Sequence, residues 1–178
     1  AVVALGTVLT LARFSEAFLI LRAQQAGMAV TWLPLVMVLL ALFYLLSAYP
    51  VGRYSDRVGR SGLLGIGLGL LIIADLLLAV DDSVLLVLLG VALWGLHLGF
   101  SQGILAAMVA DSAPAELRGT AFGVFNLLSG LAMLIASGLA GWLWQNFGAA
   151  SGFYTGASFA GLAWLLLLMR AKSAACSR

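Results

Sequence analysis

Five polar side chains interrupt otherwise apolar segments of this 178-residue sequence, and their types suggest proton chemistry. An ionisable group placed in lipid costs roughly 2.5–3.5 kcal/mol on insertion scales, so such a residue is a candidate for function. A glutamate or a histidine in such a place can take up and release a proton. The candidates are Arg13, Glu16, His97, Ser101 and Gln102.

Arg13 and Glu16 are three residues apart, a spacing that places both side chains on one face of a helix. A close pair of opposite charges neutralises itself, so burying the pair is cheaper than burying either charge alone. That explanation is purely structural. In the functional alternative, Glu16 exchanges a proton and Arg13 adjusts its affinity for that proton. The sequence leaves both alternatives open.

His97 is the only histidine in the sequence, and Ser101, four residues later, shares its helix face. A single histidine in a helix usually hydrogen-bonds to a neighbour, but its ordinary pKa of about 6.5 also suits proton exchange. We predict no metal site, since His97 and Glu16 lack a third ligand, and no cofactor. Without a Ser–His–Asp set, a zinc-protease motif or a phosphate-binding loop, the chain is not expected to be an enzyme.

Asp75 is a further acidic residue inside an apolar segment, six residues before Asp81. Its place near the outer end of that segment predicts that the carboxylate reaches up to the lipid headgroups and water. On this interpretation Asp75 takes no part in function.

The composition requires contact with lipid. The sequence is 63% hydrophobic and 9% charged, whereas soluble domains contain about 45–50% apolar and about 25% charged residues. A soluble domain of this size has too little interior to bury that much apolar surface. The net charge of +2 comes from scattered residues at the ends of apolar segments, so no nucleic-acid partner is expected. The single cysteine, Cys176, excludes an intramolecular disulfide.

Six segments approach the roughly 20 apolar residues that a membrane-spanning helix needs. Short links rich in Pro, Gly and Asp separate them, so neighbouring segments must run antiparallel. They lack the ten-residue alternation of a membrane β-barrel. We therefore predict an all-α membrane protein, a six-transmembrane-helix bundle in which residues 1–178 form a single repeat. The predicted spans are 3–23, 31–52, 62–80, 84–109, 119–143 and 151–169.

Seven of the nine basic residues fall in the second loop, the fourth loop and the tail. Lys and Arg concentrate on the cytoplasmic side of a membrane protein, so these segments and both termini are predicted to be cytoplasmic in a multi-pass inner-membrane protein. The chain opens on an apolar run, with neither Met nor a basic segment of a signal peptide. We expect that the beginning of a longer polypeptide is missing.

The second loop carries a specific motif. It contains a glycine, then Asp-Arg, then Gly-Arg, and Asp56 is expected just ahead of a helix N-terminus, where negative charge is favoured. The spacing resembles the loop signature of the major facilitator superfamily, between the second and third helices of a six-helix repeat. The residues that match are Gly52, Asp56, Arg57, Gly59 and Arg60.

The fourth loop is similar to the segment that links the tenth and eleventh helices of that superfamily, through Pro114, Arg118 and Gly119. The opening 13–18 resembles the start of a seventh helix in bacterial members. The fourth span lacks the arginine of N-terminal repeats, and the fifth lacks the Gly-Pro element of antiporters. The resemblance therefore implies a C-terminal repeat, helices seven to twelve, that covers essentially the whole chain.

In that superfamily the first and fourth helices of each repeat line the central cavity, which is where the five polar candidates fall. The resemblance implies transport of a small organic solute or drug by alternating access, with efflux favoured. The ionisable residues inside the spans suggest a proton gradient as the driving force, with Glu16 or His97 as the carrier. Its expected partners are the lipid bilayer, the small-molecule substrate and either the N-terminal half of the same polypeptide or a second copy. The alternative is a stand-alone six-helix homodimeric channel or membrane scaffold.

Overall fold

The computed structural model describes the backbone of residues 2–80 and 83–176, and within these ranges the side chains of residues 2–5, 8, 56–58 and 170–176 are not described. These residues form an all-α membrane protein, with no strand in the described ranges. Short 3₁₀ turns at Val30–Trp32 and Ala115–Leu117 precede two of the helices. The helices are α1 (Val2–Leu11), α2 (Ala17–Gln25), α3 (Pro34–Val58), α4 (Arg60–Val80), α5 (Val84–Asp111), α6 (Arg118–Phe147) and α7 (Ala149–Cys176).

Within the part of the chain that the structure describes, five helices, α3 to α7, are long and apolar enough to cross a membrane. Each overlaps one of the spans predicted from the sequence, and the α3/α4 and α6/α7 links are single glycines. Gly59 and Gly148 both adopt φ +86°, a left-handed conformation that side-chain-bearing residues rarely accept. Each glycine therefore ends one helix and lets the next begin immediately.

The first predicted span, 3–23, is not one continuous helix. The structure divides it into α1 and α2, with residues 12–16 outside any helix; we call residues 12–16 the interruption. The prediction that Arg13 and Glu16 share a helix face was therefore wrong. An apolar run reports length and hydrophobicity but does not reveal a local break. Here Ser15 Oγ accepts the backbone N–H of Ala17 at 3.4 Å, which is a side-chain alternative to the helical ladder.

The second loop is also shorter than predicted. α3 continues through Pro50 as far as Val58, so the backbone of Asp56 lies in the last turn of α3 and not in a loop ahead of the next helix. The side chains of Asp56 and Arg57 lie outside the described residues. A one-residue glycine link leaves no room for the loop that the motif suggested.

The core of the bundle lies between α4 and α5. Half of the α4 span and 56% of the α5 span are buried, against 17% for the span containing α3 and 11% for that containing α6. α4 packs against α5 and α7, α3 packs against α5, and α1 packs against α6. The outer helices α3 and α6 therefore leave wide apolar faces uncovered.

α3 and α5 approach closely at two of the small residues in a row spaced by four. A methyl group added at Gly95 would overlap the Leu40 carbonyl oxygen and lie 3.0 Å from Phe43 Cβ, and one at Gly99 would overlap Ser47. At Gly103, one turn further, a methyl group would meet nothing within 4 Å. Close backbone approach at small residues is how helices pack in lipid.

We predict that Gly95→Ala lowers the stability of the bundle and that Gly103→Ala does not. Overpacking against a backbone carbonyl costs about 1–3 kcal/mol, whereas an open helical glycine gains up to about 1 kcal/mol as alanine. Thermal unfolding of both variants in detergent measures the difference. Equal melting temperatures for the two variants would contradict the close contact between α3 and α5.

Candidate functional site

The interruption is held by polar contacts with α6 and with the first turn of α2. The backbone N–H of Ser15 donates to Ser137 Oγ of α6 at 3.1 Å, and the carbonyls of Ser15 and Glu16 accept the N–H groups of Phe18 and Leu19. These bonds supply partners that hydrocarbon cannot offer to a non-helical backbone. The first span therefore consists of two short helices, α1 and α2, joined by a non-helical segment whose backbone is hydrogen-bonded.

A cavity of about 410 Å³ lies between α1, α5 and α6, next to the interruption. Seven of its fourteen described lining residues are polar or charged, so the cavity offers a small molecule both apolar surface and hydrogen-bonding groups. Its polar lining consists of Thr10, Arg13, His97, Ser101, Gln102, Asn126 and Ser129.

Four of the five polar candidates line this cavity. Glu16 is absent from the lining, and it forms no ion pair with Arg13 within 4 Å among the described residues, although the two interact electrostatically. The compact pair considered from the sequence is therefore not formed. Arg13 instead lies near His97, close enough for their charges to interact.

His97 is 1% exposed and is anchored to the neighbouring helix. Its Nδ1 lies 2.8 Å from the carbonyl oxygen of Gly67 on α4, which assigns the proton of a neutral ring to Nδ1 because a carbonyl only accepts. Its Nε2 has no hydrogen-bond partner among the described residues. Nε2 is therefore the ring nitrogen available to exchange a proton or bind a solute.

Three polar lining residues escaped the sequence analysis: Thr10, Asn126 and Ser129. Thr10 Oγ1 donates to the Gly6 carbonyl at 2.8 Å, and Ser129 Oγ is buried without a partner among the described residues. Small uncharged side chains do not stand out in an apolar span, so charge alone could not find them. Asn126 and Ser129 lie on α6, which therefore forms a third wall of the cavity beside α1 and α5.

Asp75 lies elsewhere, and the prediction that it reaches the headgroups was wrong. Its side chain has no solvent exposure, and a methyl group added at Gly156 of α7 would lie 2.9 Å from its Oδ2. Position along the chain indicates depth in the membrane, but not whether a residue faces lipid, water or the protein. Here α4 turns Asp75 toward the bundle interior.

The two loop motifs meet at one end of the bundle. Arg60, the first residue of α4, forms an ion pair with Asp111, the last residue of α5. Arg60 at a helix N-terminus and Asp111 at a helix C-terminus each lie at the end whose dipole disfavours their charge, so each side chain offsets the other. Because the two side chains are 32% and 59% exposed, the pair contributes about 0–1 kcal/mol. Pro114 precedes the second 3₁₀ turn, and Arg118 and Gly119 open α6.

A model of the family described as Major Facilitator Superfamily matches residues 2–175 of the chain. The chain belongs to the major facilitator superfamily. Its all-α membrane architecture is consistent with one half of this fold, and the family points to membrane transport.

An uncharacterised MFS-type transporter of Methanocaldococcus jannaschii is 35% identical over 147 residues, which cover 79% of this chain and 37% of that protein. Uncharacterised proteins of Mycobacterium bovis and Mycobacterium tuberculosis are 34% identical over 100 residues, or 56% of this chain and 24% of theirs. The chain thus matches well under half the length of these relatives.

We predict that the cavity between α1, α5 and α6 is open to water. In a background with Cys176 replaced by Ser, Gln102→Cys and Asn126→Cys should react with a membrane-impermeant maleimide, because the reactive thiolate forms only where water reaches it. Ile73→Cys on the exposed apolar face of α4 is the control and should stay unlabelled. Labelling of Ile73→Cys as fast as Gln102→Cys would contradict the assignment of lipid-facing and cavity-facing surfaces.

Proposed function

We propose that the chain is the C-terminal half of a proton-coupled secondary transporter that moves a small organic solute or drug, with efflux as its direction. The observation that carries this proposal is the polar cavity beside an interrupted span. Broken helices at a central binding site are typical of secondary transporters, which rock two repeats around it. The exchangeable groups are His97, at the cavity wall, and Glu16, at the start of α2.

The partner that we propose is the N-terminal half of the same polypeptide. The uncovered apolar faces of α3 and α6 support this, because a contiguous apolar surface of that extent calls for lipid or another protein. The much greater length of the relatives agrees with it. A second copy of this chain is the alternative occupant.

We further propose that both termini and the Arg60–Asp111 end face the cytoplasm, with the protein in the inner membrane. The support is the concentration of Lys and Arg at this end of the helices. In this orientation the two loop motifs lie on the cytoplasmic side, and the Ala26–Leu33 connection lies on the other.

We predict that the double variant Glu16→Gln, His97→Gln of the full-length protein loses accumulation driven by a pH gradient. Neither replacement can carry a proton, but each keeps the approximate shape of the original side chain. The measurement is uptake of a panel of fluorescent organic dyes into inside-out proteoliposomes, with and without the gradient. Accumulation should fall to the level of protein-free vesicles, while exchange of dye without a gradient persists.

Asp111→Asn is the control, because Asp111 lies at the bundle end and away from the cavity. It should accumulate dye as the unmodified protein does. If the double variant still concentrated dye in response to the gradient, neither Glu16 nor His97 would be a proton carrier.

A further inference from the structure

Among the described residues, Asp75 is the only carboxyl side chain with no solvent exposure. Neither of its oxygens has a hydrogen-bond partner there. It lies outside the cavity lining, so the proposed transport site does not account for it. A carboxyl group enclosed in a membrane bundle needs either a counter-charge or a proton.

The surroundings of the Asp75 carboxyl group come from α7 and the interruption. A methyl group added at Gly156 would lie 2.9 Å from Asp75 Oδ2, 3.1 Å from Phe14 Cε1 and 3.5 Å from the Ala12 carbonyl oxygen. Asp75 Oδ2 and the Ala12 carbonyl oxygen therefore both border Gly156. The Phe14 ring continues into an aromatic cluster, with its centroid 5.3 Å from those of Trp94 and Phe153, which keeps this side of the site dry.

No cation neutralises Asp75 among the described residues, since no ion pair there includes it. The nearest basic groups along α4 are engaged with its backbone: Arg22 Nε donates to the Leu78 carbonyl at 2.7 Å, and His97 binds Gly67, two turns or about 12 Å from Asp75 along the axis. The charged or titratable residues on the surrounding elements are Arg13 and Glu16 of the interruption, Arg22 of α2, His97 and Asp111 of α5, and Tyr154, Arg170 and Lys172 of α7.

A protonated carboxylic acid suits this site better than a carboxylate does. The acid is neutral, and its O–H can donate to an acceptor. The Ala12 carbonyl is such an acceptor, and it lies just beyond α1, where carbonyl groups lack partners within the helix. A carboxylate would instead place a buried negative charge beside the negative end of the α1 dipole.

We propose that Asp75 is a proton-binding site of this protein, and that the bound proton fastens the interruption to α4 and α7 through the Ala12 carbonyl. A metal ion suits the site poorly, because the surroundings named above offer it a single backbone oxygen besides the carboxyl group, and alkali and alkaline-earth ions need several.

The interruption connects this proton site with the cavity. The Ala12 carbonyl oxygen and Asp75 Oδ2 both lie within 3.5 Å of where a methyl group on Gly156 would be, and the side chain of the next residue, Arg13, lines the cavity. Release of the proton removes the donor and adds repulsion, so the segment that carries Arg13 moves. This coupling rests on the transport function proposed above, whereas proton binding at Asp75 does not.

Infrared spectroscopy of the full-length protein in liposomes tests proton binding. At neutral pH, subtracting the Asp75→Asn spectrum from that of the unmodified protein should leave the carbonyl band of a protonated carboxylic acid. Asp111→Asn, which alters an exposed carboxylate, should leave carboxylate bands instead. Carboxylate bands in the Asp75 difference spectrum, or a band that responds to sodium ions and not to pH, would overturn the proposal.

The coupling is measured without a known solute, through the Gln102→Cys thiol and an impermeant maleimide. With Asp75 present, the labelling rate should change with pH about tenfold more than in the Asp75→Asn background, a coupling of typical size for linked sites. Asparagine matches the neutral acid in size, so this variant should fold. Identical pH profiles in the two backgrounds would overturn the coupling.

Two glycine variants of α7 test the same contact without removing the acid. Gly156→Ala presses a methyl group against Asp75 Oδ2 and should flatten the pH profile of labelling. Gly152→Ala, one turn earlier, would meet Ala140 at 3.8 Å, an ordinary contact, and should keep the profile. If the pH profile of labelling were unchanged in Gly156→Ala, the proposed contact between Asp75 and the interruption would be wrong.

The outcomes separate this inference from the proposed function. If Glu16→Gln, His97→Gln still couples transport to protons while Asp75→Asn removes the acid band, the carriers proposed above are wrong and the Asp75 site stands. If the acid band is missing while the double variant loses coupling, the Asp75 site is wrong and the proposed carriers stand.

Discussion

The structure depends on satisfying the backbone of the interruption inside a bundle that faces hydrocarbon. Residues 12–16 give up the helical ladder, and lipid provides no substitute for the lost hydrogen bonds. Instead, Ser137 Oγ of α6 accepts the Ser15 N–H, and the Ser15 and Glu16 carbonyls accept N–H groups of α2. This requirement fixes α6 beside the first span, and the cavity is the space left between them and α5.

The helices divide into a tightly packed part and a loosely packed part. α4 and α5 are half buried, and α5 meets α3 through glycine contacts that leave no room for a methyl group. α6 has only Ala132, Ala136 and Ala140 buried among its described residues. α6 therefore packs on the bundle through small side chains and contributes little to the buried core.

Apolar length, loop charge and motif spacing predicted the all-α membrane fold, because lipid admits so few architectures. They also placed His97, Ser101 and Gln102 on one helix that lines the cavity. They could not reveal the interruption, because hydropathy averages over the polar residues that cause it. They misplaced Asp75, because depth in the membrane does not determine the direction in which a side chain points. The inward orientation of Asp75 follows from its packing against Gly156 of α7.

The connections of the chain repeat. A 3₁₀ turn precedes α3 and another precedes α6, and each of these two helices is followed by a single glycine with φ +86°. The first span, α3 and α4 thus correspond in order and punctuation to α5, α6 and α7, as two three-helix units. The cavity lies between the first members of the two units, the first span and α5, with α6 as its third wall. Of these two members only the first span is interrupted within the described residues, so the two units share the order of their connections but not the continuity of their first helix.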